Sequence, residues 1–183
     1  MQLFLIRHGQ PDYAAVTTRH FIGHVRDLAQ LSQLGQQQAE IVAQDSRLQD
    51  AEIILSSPYT RALQTAAIIS RHTGIPIAVE TDLMEWMPDL TFTYTGPAHF
   101  GEIDQELRNH QGVWNPSCKF RWESLPDLGE RAFGAVKRYL DRKKVIAVTH
   151  GMVIRQFVYM DEVPCCQIIE YTLEPYSRWI GLK

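Results

Sequence analysis

The chain has 183 residues, of which 45% are hydrophobic, and this is enough to build one domain with a sizeable core over residues 1–183. The net charge of -3 gives no overall basic field, so nucleic acid is not expected as a partner and any strong anion binding has to be local. No apolar run approaches a membrane span, and residues 1–6 lack the basic leader of a secretory signal, so we expect no membrane partner.

The first half of the chain alternates short apolar runs with segments of helical spacing, which predicts buried strands and amphipathic helices in turn. The predicted elements are a strand at residues 3–6, a helix at 32–48, a strand at 53–55, a helix from about 58 to 73 and a strand at 75–79. Ser56-Ser57-Pro58 has the residue types of an N-cap and first-turn proline for the second helix, and Gly74 is expected to close it.

The second half begins with an irregular, aromatic-rich stretch from about residue 82 to 125, in which Pro88, Pro97 and Pro116 are expected to act as breaks. Beyond it the pattern predicts a helix at about 127–143, a strand at 145–148, a helical segment after Gly151 and a closing hairpin of residues 168–173 and 179–182. Alternating strands and helices predict an α/β fold, a three-layer sandwich with a mostly parallel central sheet flanked by helices.

Three polar tripeptides follow predicted strands directly: Arg7-His8-Gly9, Ser56-Ser57-Pro58 and Thr149-His150-Gly151. Parallel sheets bind ligands beyond the carboxyl ends of their strands. We therefore expect these tripeptides to converge on one crevice, although they are far apart in sequence.

The residue types in this crevice suit a phosphate monoester. Arg7 and Arg61 supply planar, bidentate donors, and Arg61 lies in a first helical turn, where side chains lean back toward the strand end. An unprotonated His8 can attack phosphorus, while His150 can donate to a non-bridging oxygen. Free N–H groups at the helix beginning near Gly151 add anion affinity.

The leaving alcohol needs a proton, and Glu85 is the candidate donor. Its apolar neighbours Leu83, Met84 and Trp86 are expected to raise its pKa toward that of a general acid, and the same carboxyl can later activate water. The predicted catalytic residues are His8, Glu85, His150, Arg7 and Arg61, and the predicted phosphate-binding residues are Arg7, His8, Arg61, His150 and Gly151.

Together these motifs resemble the histidine phosphatase superfamily, also called phosphoglycerate mutase-like. The resemblance covers nearly the whole chain and is carried by Arg7-His8-Gly9, residues 31–39, residues 56–66, Glu85 and residues 148–151. It implies a phosphohistidine at His8, phosphate contacts from Arg7, Arg61 and His150, and proton transfer by Glu85. It implies no metal and no cofactor, and a central sheet between helices with a variable cap, here at about 82–125.

Two departures from the family pattern weaken the transfer of a named substrate. Gln10 and Pro11 stand where the family often has an acid and a Ser or Thr, and Ala14 stands where an asparagine is expected. The chain is also shorter than typical phosphoglycerate mutases. We therefore expect a metal-independent, acid-type histidine phosphatase acting on a small phosphorylated substrate. The alternatives are a phosphoprotein (phosphohistidine) phosphatase, mutase-type phosphoryl transfer and a catalytically silent phosphate sensor.

Other residue groups have a functional interpretation, but a structural role is commoner for each. Seven aromatic residues are candidates for stacking on the leaving group: Trp86, Phe92, Tyr94, Phe100, Trp114, Phe120 and Trp122. Arg108, Lys119 and Arg121 are candidates for a second acidic group. His20 and His24 have the spacing of a metal-binding pair on a helix.

The cysteines bear on the compartment of the protein. Cys118, Cys165 and Cys166 form an odd set without the spacing of a disulfide framework, and a catalytic thiol among them is the less common alternative. Such a set favours a reducing compartment, so we expect a cytoplasmic protein. The sequence does not indicate its oligomeric state.

Overall fold

A computed structural model describes residues 1–180 and contains a central five-stranded sheet. The strands are β1 (Gln2–Arg7), β4 (Ile53–Ser56), β5 (Ile77–Val79), β6 (Lys144–Thr149) and β7 (Ile168–Thr172), and a separate two-stranded sheet pairs β2 (Pro11–Asp12) with β3 (Gln30–Leu31). The central order is β5-β4-β6-β1-β7, in which only the pairing of β7 with β1 is antiparallel. The prediction of a mostly parallel sheet is confirmed.

Helices cover both faces of this sheet. They are α1 (Ala14–Thr18), α2 (Gln33–Val42), α3 (Thr60–Thr73), α4 (Pro97–Asn109), α5 (Leu125–Lys137) and α6 (Gly151–Ile154), with 3-10 turns at Gly23–Leu28, Ser46–Leu48 and Thr81–Leu83. Alternate residues of β1 point to opposite faces. Leu3 and Leu5 pack in the core beneath α5 and α6, whereas Phe4 and Ile6 pack in the core beneath α2 and α3. This gives the predicted three layers.

Several predicted helix boundaries are wrong. α2 ends at Val42 instead of residue 48, because Asp45 accepts a hydrogen bond from Arg47 N–H and starts a separate turn. α3 begins at Thr60, two residues after Pro58, with Tyr59 at the N-cap position and no side-chain cap. α5 begins at Leu125 and ends at Lys137 instead of residue 143. Gly74 does close α3, with a φ of 76°.

The stretch predicted to be irregular contains the thirteen-residue helix α4. Pro97 starts this helix, since a proline at the first helical position loses no hydrogen bond. The breaking role assigned to Pro97 is therefore wrong. The boundaries of the predicted cap, at about 82–125, and the prediction of a single domain stay predictions.

The predicted closing hairpin is absent from the described residues. β7 pairs with β1 at the edge of the central sheet instead of with a following strand. Trp179 and Ile180 are not in a strand, and the Trp179 side chain packs directly on Gly129 of α5. Gly181 and Leu182, the rest of the predicted strand, lie outside the described residues. No helix within residues 1–180 has the length and apolar character needed to cross a bilayer.

Candidate active site

The carboxyl ends of three parallel strands place the predicted tripeptides side by side. Arg7 of β1 is in register with Thr149 of β6, and Ser56 of β4 is in register with Val148. Beyond the strands, His8 N–H donates to Thr149 O at 3.0 Å and Ser57 N–H donates to Val148 O at 3.0 Å. The sheet register therefore places His8, Ser57 and His150 next to one another at the carboxyl edge of the central sheet.

The His8 ring is held with one nitrogen directed at the pocket. Nδ1 lies 2.7 Å from Gly9 O, which accepts a hydrogen bond from Nδ1–H, and Nε2 then carries the lone pair that accepts from Arg61 Nε–H at 3.1 Å. His8 is 4% exposed. Burial, followed by the Arg61 charge, lowers the pKa of His8 to about 3. The ring is therefore neutral at pH 7, and Nε2 is its unprotonated nitrogen, hydrogen-bonded to Arg61 Nε–H.

Close backbone packing fixes the loop after His8. Gly9 N–H donates to Thr65 Oγ1 at 3.1 Å, and the Thr65 hydroxyl donates to Arg61 O at 2.8 Å. A Cβ on Gly9 would lie 2.4 Å from Gly35 O, and one on Gly35 would lie 2.1 Å from Gln10 O. Both glycines are therefore required by the approach of this loop to α2, and the sequence analysis missed the roles of Thr65 and Gly35.

Arg61 occupies the centre of the site and is 3% exposed. Its Nη2 lies 3.4 Å from His150 Nδ1, and both Nη atoms lie 3.4 Å from Asp27 Oδ1. The guanidinium carbon lies 5.0 Å from the centre of the Tyr59 ring. Asp27 lies in the 3-10 turn Gly23–Leu28, and its carboxylate helps to orient the Arg61 guanidinium. The sequence analysis missed Asp27 because this turn contains no recognisable motif.

His150 lies behind Arg61 and is fully buried, so it does not line the open pocket. Its Nε2 is 2.7 Å from Ser57 Oγ, and its ring centroid is 5.0 Å from that of His8. Burial first, and then the Arg61 charge, lowers the pKa of His150 well below its usual value, so the ring is neutral. Donation from Nδ1 requires the tautomer in which the Ser57 hydroxyl donates to Nε2.

Arg7 also lines the pocket. Its Nη1 donates to Val163 O, while its buried Nε has no hydrogen-bond partner within residues 1–180. Nε and Nη2 are therefore the nitrogens of Arg7 that have no hydrogen bond to another described residue. Gly151 begins the short helix α6, and a Cβ there would lie 3.8 Å from Arg7 Nε, an ordinary contact.

Glu85 also lines the pocket, on the irregular segment that follows Leu83. Its Oε1 accepts from Trp86 N–H at 2.9 Å, and its Oε2 lies 3.5 Å from Met152 N. Burial raises the pKa of the Glu85 carboxyl, although these N–H groups and the Arg61 charge act in the other direction. The carboxyl therefore keeps its proton to a higher pH than an exposed glutamate does.

The pocket between these groups has a volume of about 440 Å³. Of the seven candidate aromatic residues, Trp86, Tyr94 and Phe100 line it. A cavity of about 580 Å³ between α4 and the segment after α6 contains none of the candidate catalytic residues. The smaller pocket is therefore the candidate active site.

The cations suggested for a second acidic group do not line this pocket. Arg108 pairs with Asp104 and Lys119 with Glu102, both on the surface of α4. Arg121 lies over the Trp114 ring, with 4.3 Å between its guanidinium carbon and the ring centroid. The pocket contains Arg26 instead, which the sequence analysis did not identify.

The proposed histidine pair is not on one helix. His20 follows α1 with a φ of 53°, whereas His24 lies in the turn Gly23–Leu28, with Nδ1 3.3 Å from Asp27 Oδ2. Across the described part of the chain, no group of three or more His, Cys, Asp or Glu side chains is arranged to hold a metal ion. Burial raises the pKa of Cys166 to about 12, which leaves its thiol protonated.

Comparison with known proteins places this geometry in a family. The chain is 28% identical over 157 residues to a probable phosphoglycerate mutase, GpmB, of Yersinia enterocolitica, a match that covers 84% of this chain and 71% of the relative. It is 27% identical over 169 residues to the glucosyl-3-phosphoglycerate phosphatase of Mycolicibacterium vanbaalenii, covering 84% and 70% of the two chains.

Solved structures share the fold. YhfR of Bacillus stearothermophilus superimposes with a TM-score of 0.73 at 22% identity, covering 100% of this chain and 96% of the other. The family model described as histidine phosphatase superfamily, branch 1, matches residues 3–165. The expected resemblance is thus confirmed, and the chain belongs to the histidine phosphatase superfamily.

Proposed function

We propose that this protein is a phosphatase that hydrolyses phosphate monoesters of small molecules through a phosphohistidine at His8. One observation carries the proposal: the neutral imidazole of His8 is fixed by Gly9 O at Nδ1 and presents Nε2 beside Arg61. An imidazole held in this way is a nucleophile that needs no separate base.

In the first step, Arg7 and Arg61 bind the non-bridging oxygens of the substrate, and His8 Nε2 attacks phosphorus. A bond forms between Nε2 and phosphorus while the ester P–O bond breaks. The leaving oxygen takes the proton of the Glu85 carboxyl, so the alcohol departs neutral. The two arginines balance the negative charge of the transferring group, and the neutral His150 lies behind Arg61; this charge balance is the basis for proposing a metal-independent reaction.

In the second step, the ionised Glu85 accepts a proton from a water molecule in the position that the alcohol has left. The water oxygen bonds to phosphorus as the P–N bond breaks. His8 returns to its neutral form, Glu85 is protonated again and inorganic phosphate is released. The same carboxyl thus serves as acid and then as base.

A small-molecule substrate is supported by the size and lining of the pocket. A volume of about 440 Å³ suits a compact metabolite, and Trp86, Tyr94 and Phe100 offer apolar surface to its leaving group. One relative is named for glucosyl-3-phosphoglycerate, a small phosphorylated compound. We propose that the segment at about 82–125, which supplies these aromatic residues, is the family's cap and determines the choice of substrate.

The test is turnover of p-nitrophenyl phosphate by the wild type and by His8→Ala. We expect hydrolysis by the wild type and a loss of about 10³-fold or more in the variant, because the nucleophile is gone. His72→Ala removes an exposed histidine at the end of α3 and is the matched control, with an unchanged rate. Phosphate binding without turnover would instead indicate a sensor, and faster turnover of phosphopeptides than of small esters would indicate a phosphoprotein phosphatase.

A further inference from the structure

Arg131 of α5 lies outside the pocket but holds the segment that carries Glu85. Its Nη1 donates to Asp82 O at 2.6 Å and to Met84 O at 2.8 Å, and its Nη2 donates to Glu85 O at 3.0 Å. Its remaining N–H groups donate to the Glu123 carboxylate. All five donors of this guanidinium are therefore used, three of them on the backbone at or just before the candidate acid.

Glu123 holds the same segment from its other end and is 4% exposed. Its Oε2 accepts from Arg131 Nη2 at 2.9 Å and also from Met87 N–H at 3.1 Å. Its backbone N–H donates to Met87 O at 3.0 Å, and its carbonyl accepts from Trp86 Nε1 at 2.6 Å. The chain on both sides of Glu85 is thus attached to one buried ion pair.

This attachment matters because the segment has no regular structure of its own. Residues 84–87 belong to no helix or strand, so neither a ladder nor a helical hydrogen-bond pattern sets the direction of the Glu85 side chain. The carboxyl itself accepts only from the N–H groups of Trp86 and Met152 within the described residues. Its position therefore depends on the path of the backbone, and a proton donor misplaced by about 1 Å loses much of its effect.

We propose that the Arg131–Glu123 pair is the positioning device for the proton donor, with Arg131 as a positioning residue that acts through Glu85. The inference rests on the proposed function, because it gives Glu85 the role of acid. It adds a distinct requirement: loss of the pair disturbs protonation of the leaving group and leaves attack by His8 intact.

The leaving group separates these two effects. p-Nitrophenolate departs without a proton, whereas the alkoxide of glycerol 2-phosphate needs one. For Arg131→Gln we expect kcat/KM to fall at least tenfold more for glycerol 2-phosphate than for p-nitrophenyl phosphate. The ratio of kcat/KM for p-nitrophenyl phosphate to kcat/KM for glycerol 2-phosphate should also rise in Glu85→Gln. Combining the two substitutions should change this ratio little further.

Arg138→Gln is the matched control. Arg138 is the residue that follows the last turn of α5; its half-exposed side chain pairs with the side chains of Glu80 and Asp82 and makes no hydrogen bond to the backbone of residues 84–85. We expect both substrates to retain rates within about twofold in this variant, as is usual for exposed pairs. The comparison removes any general effect of losing a guanidinium from this helix.

Unfolding of the single variant has to be separated from misplacement of the acid, since Arg131→Gln leaves Glu123 buried without its partner. The double variant Arg131→Gln/Glu123→Gln leaves no buried unpaired charge and decides the question if the single variant does not fold. A folded variant that loses both substrates equally, or neither, overturns the inference. A wild type that fails to turn over either ester contradicts the proposed function instead, so the two failures are distinguishable.

Discussion

The two sides of the pocket are positioned in different ways. The proposed phosphate side consists of Arg7, His8 and Arg61 with His150 behind them, on the ends of β1 and β6 and the first turn of α3, where sheet register sets the spacing. The proposed acid side consists of Glu85 on an irregular segment, attached to α5 through Arg131.

This difference has a functional consequence. The transferring phosphoryl group is the same in every monoester, so the phosphate side serves all substrates alike and its geometry can be rigid. The leaving group varies, and the segment with Glu85 is continuous with pocket-lining residues such as Trp86, which we propose to contact the leaving group. Changes on the phosphate side should therefore affect all esters equally, whereas changes on the acid side should depend on the leaving group.

The largest effect is expected for Arg61→Met, which removes the central donor of the phosphate side. We expect kcat/KM to fall by about 10³-fold, by the same factor for p-nitrophenyl phosphate and for glycerol 2-phosphate. Arg71→Met, on the exposed end of the same helix, breaks only a surface pair with Glu40 and should leave both rates unchanged. A fall in kcat/KM for glycerol 2-phosphate alone would contradict the proposal that the two sides of the pocket have different roles.

Glu85→Gln tests the acid side directly. We expect kcat/KM, which reports the steps up to formation of the phosphohistidine, to fall by about 10²-fold for glycerol 2-phosphate and much less for p-nitrophenyl phosphate. Because burial raises the pKa of Glu85, the wild-type rate with the alkyl ester should fall on the alkaline side, as the carboxyl loses its proton. That alkaline limb should be absent from the pH profile of Glu85→Gln, and its persistence would remove Glu85 from the role of acid.

The sequence predicts residues whose positions the sheet fixes better than residues whose positions depend on tertiary contacts. His8 and His150 are recognisable because a tripeptide after a short apolar run has a position fixed by the sheet, whatever the loops do. Arg131 and Glu123 are eight residues apart, and nothing local indicates that both reach residues 82–87. Asp27 cannot be predicted from the sequence either, because only a tertiary contact brings it to Arg61.

The fold shows the same limits. Strand positions and the mostly parallel sheet follow from apolar runs, but α4 was missed because its amphipathic pattern begins at a proline that was interpreted as a break. The closing hairpin was predicted wrongly because the alternation of apolar and polar residues shows only that a strand forms. It does not show that β7 pairs with β1, which lies at the other end of the sequence.

A smaller effect, on stability, is expected at the loop that supports His8. Thr65→Val keeps the side-chain shape but leaves the buried Gly9 N–H without its acceptor, so the free energy of unfolding should fall by about 1–3 kcal/mol. Thr65→Ser keeps the hydroxyl and should restore most of this loss. Denaturant unfolding of the three proteins makes the comparison, and equal stability of the Val variant and the wild type would show that the bond does not hold the loop.

The smallest effect concerns the pH dependence of stability. The pKa of His8 is lowered to about 3 in the folded protein, so between about 6.5 and 3 the unfolded chain binds a proton that the folded chain does not. Stability should therefore decrease as pH falls through this window, by about 1 kcal/mol per pH unit for this residue. Denaturant unfolding at pH 7 and pH 5.5 should show that the free energy of unfolding changes less with pH in His8→Gln than in the wild type. An identical change in the two proteins would contradict a neutral, buried His8.

The most direct test of the account is chemical trapping of the intermediate on His8. Rapid acid-free quenching during steady-state turnover of a ³²P-labelled monoester, followed by peptide mapping, should locate an acid-labile, base-stable phosphoryl group on the peptide that contains His8. Glu85→Gln should accumulate more of this adduct when p-nitrophenyl phosphate is the substrate, because its hydrolysis is slowed. Steady turnover with no phosphoryl group on His8 at any time would contradict the central claim.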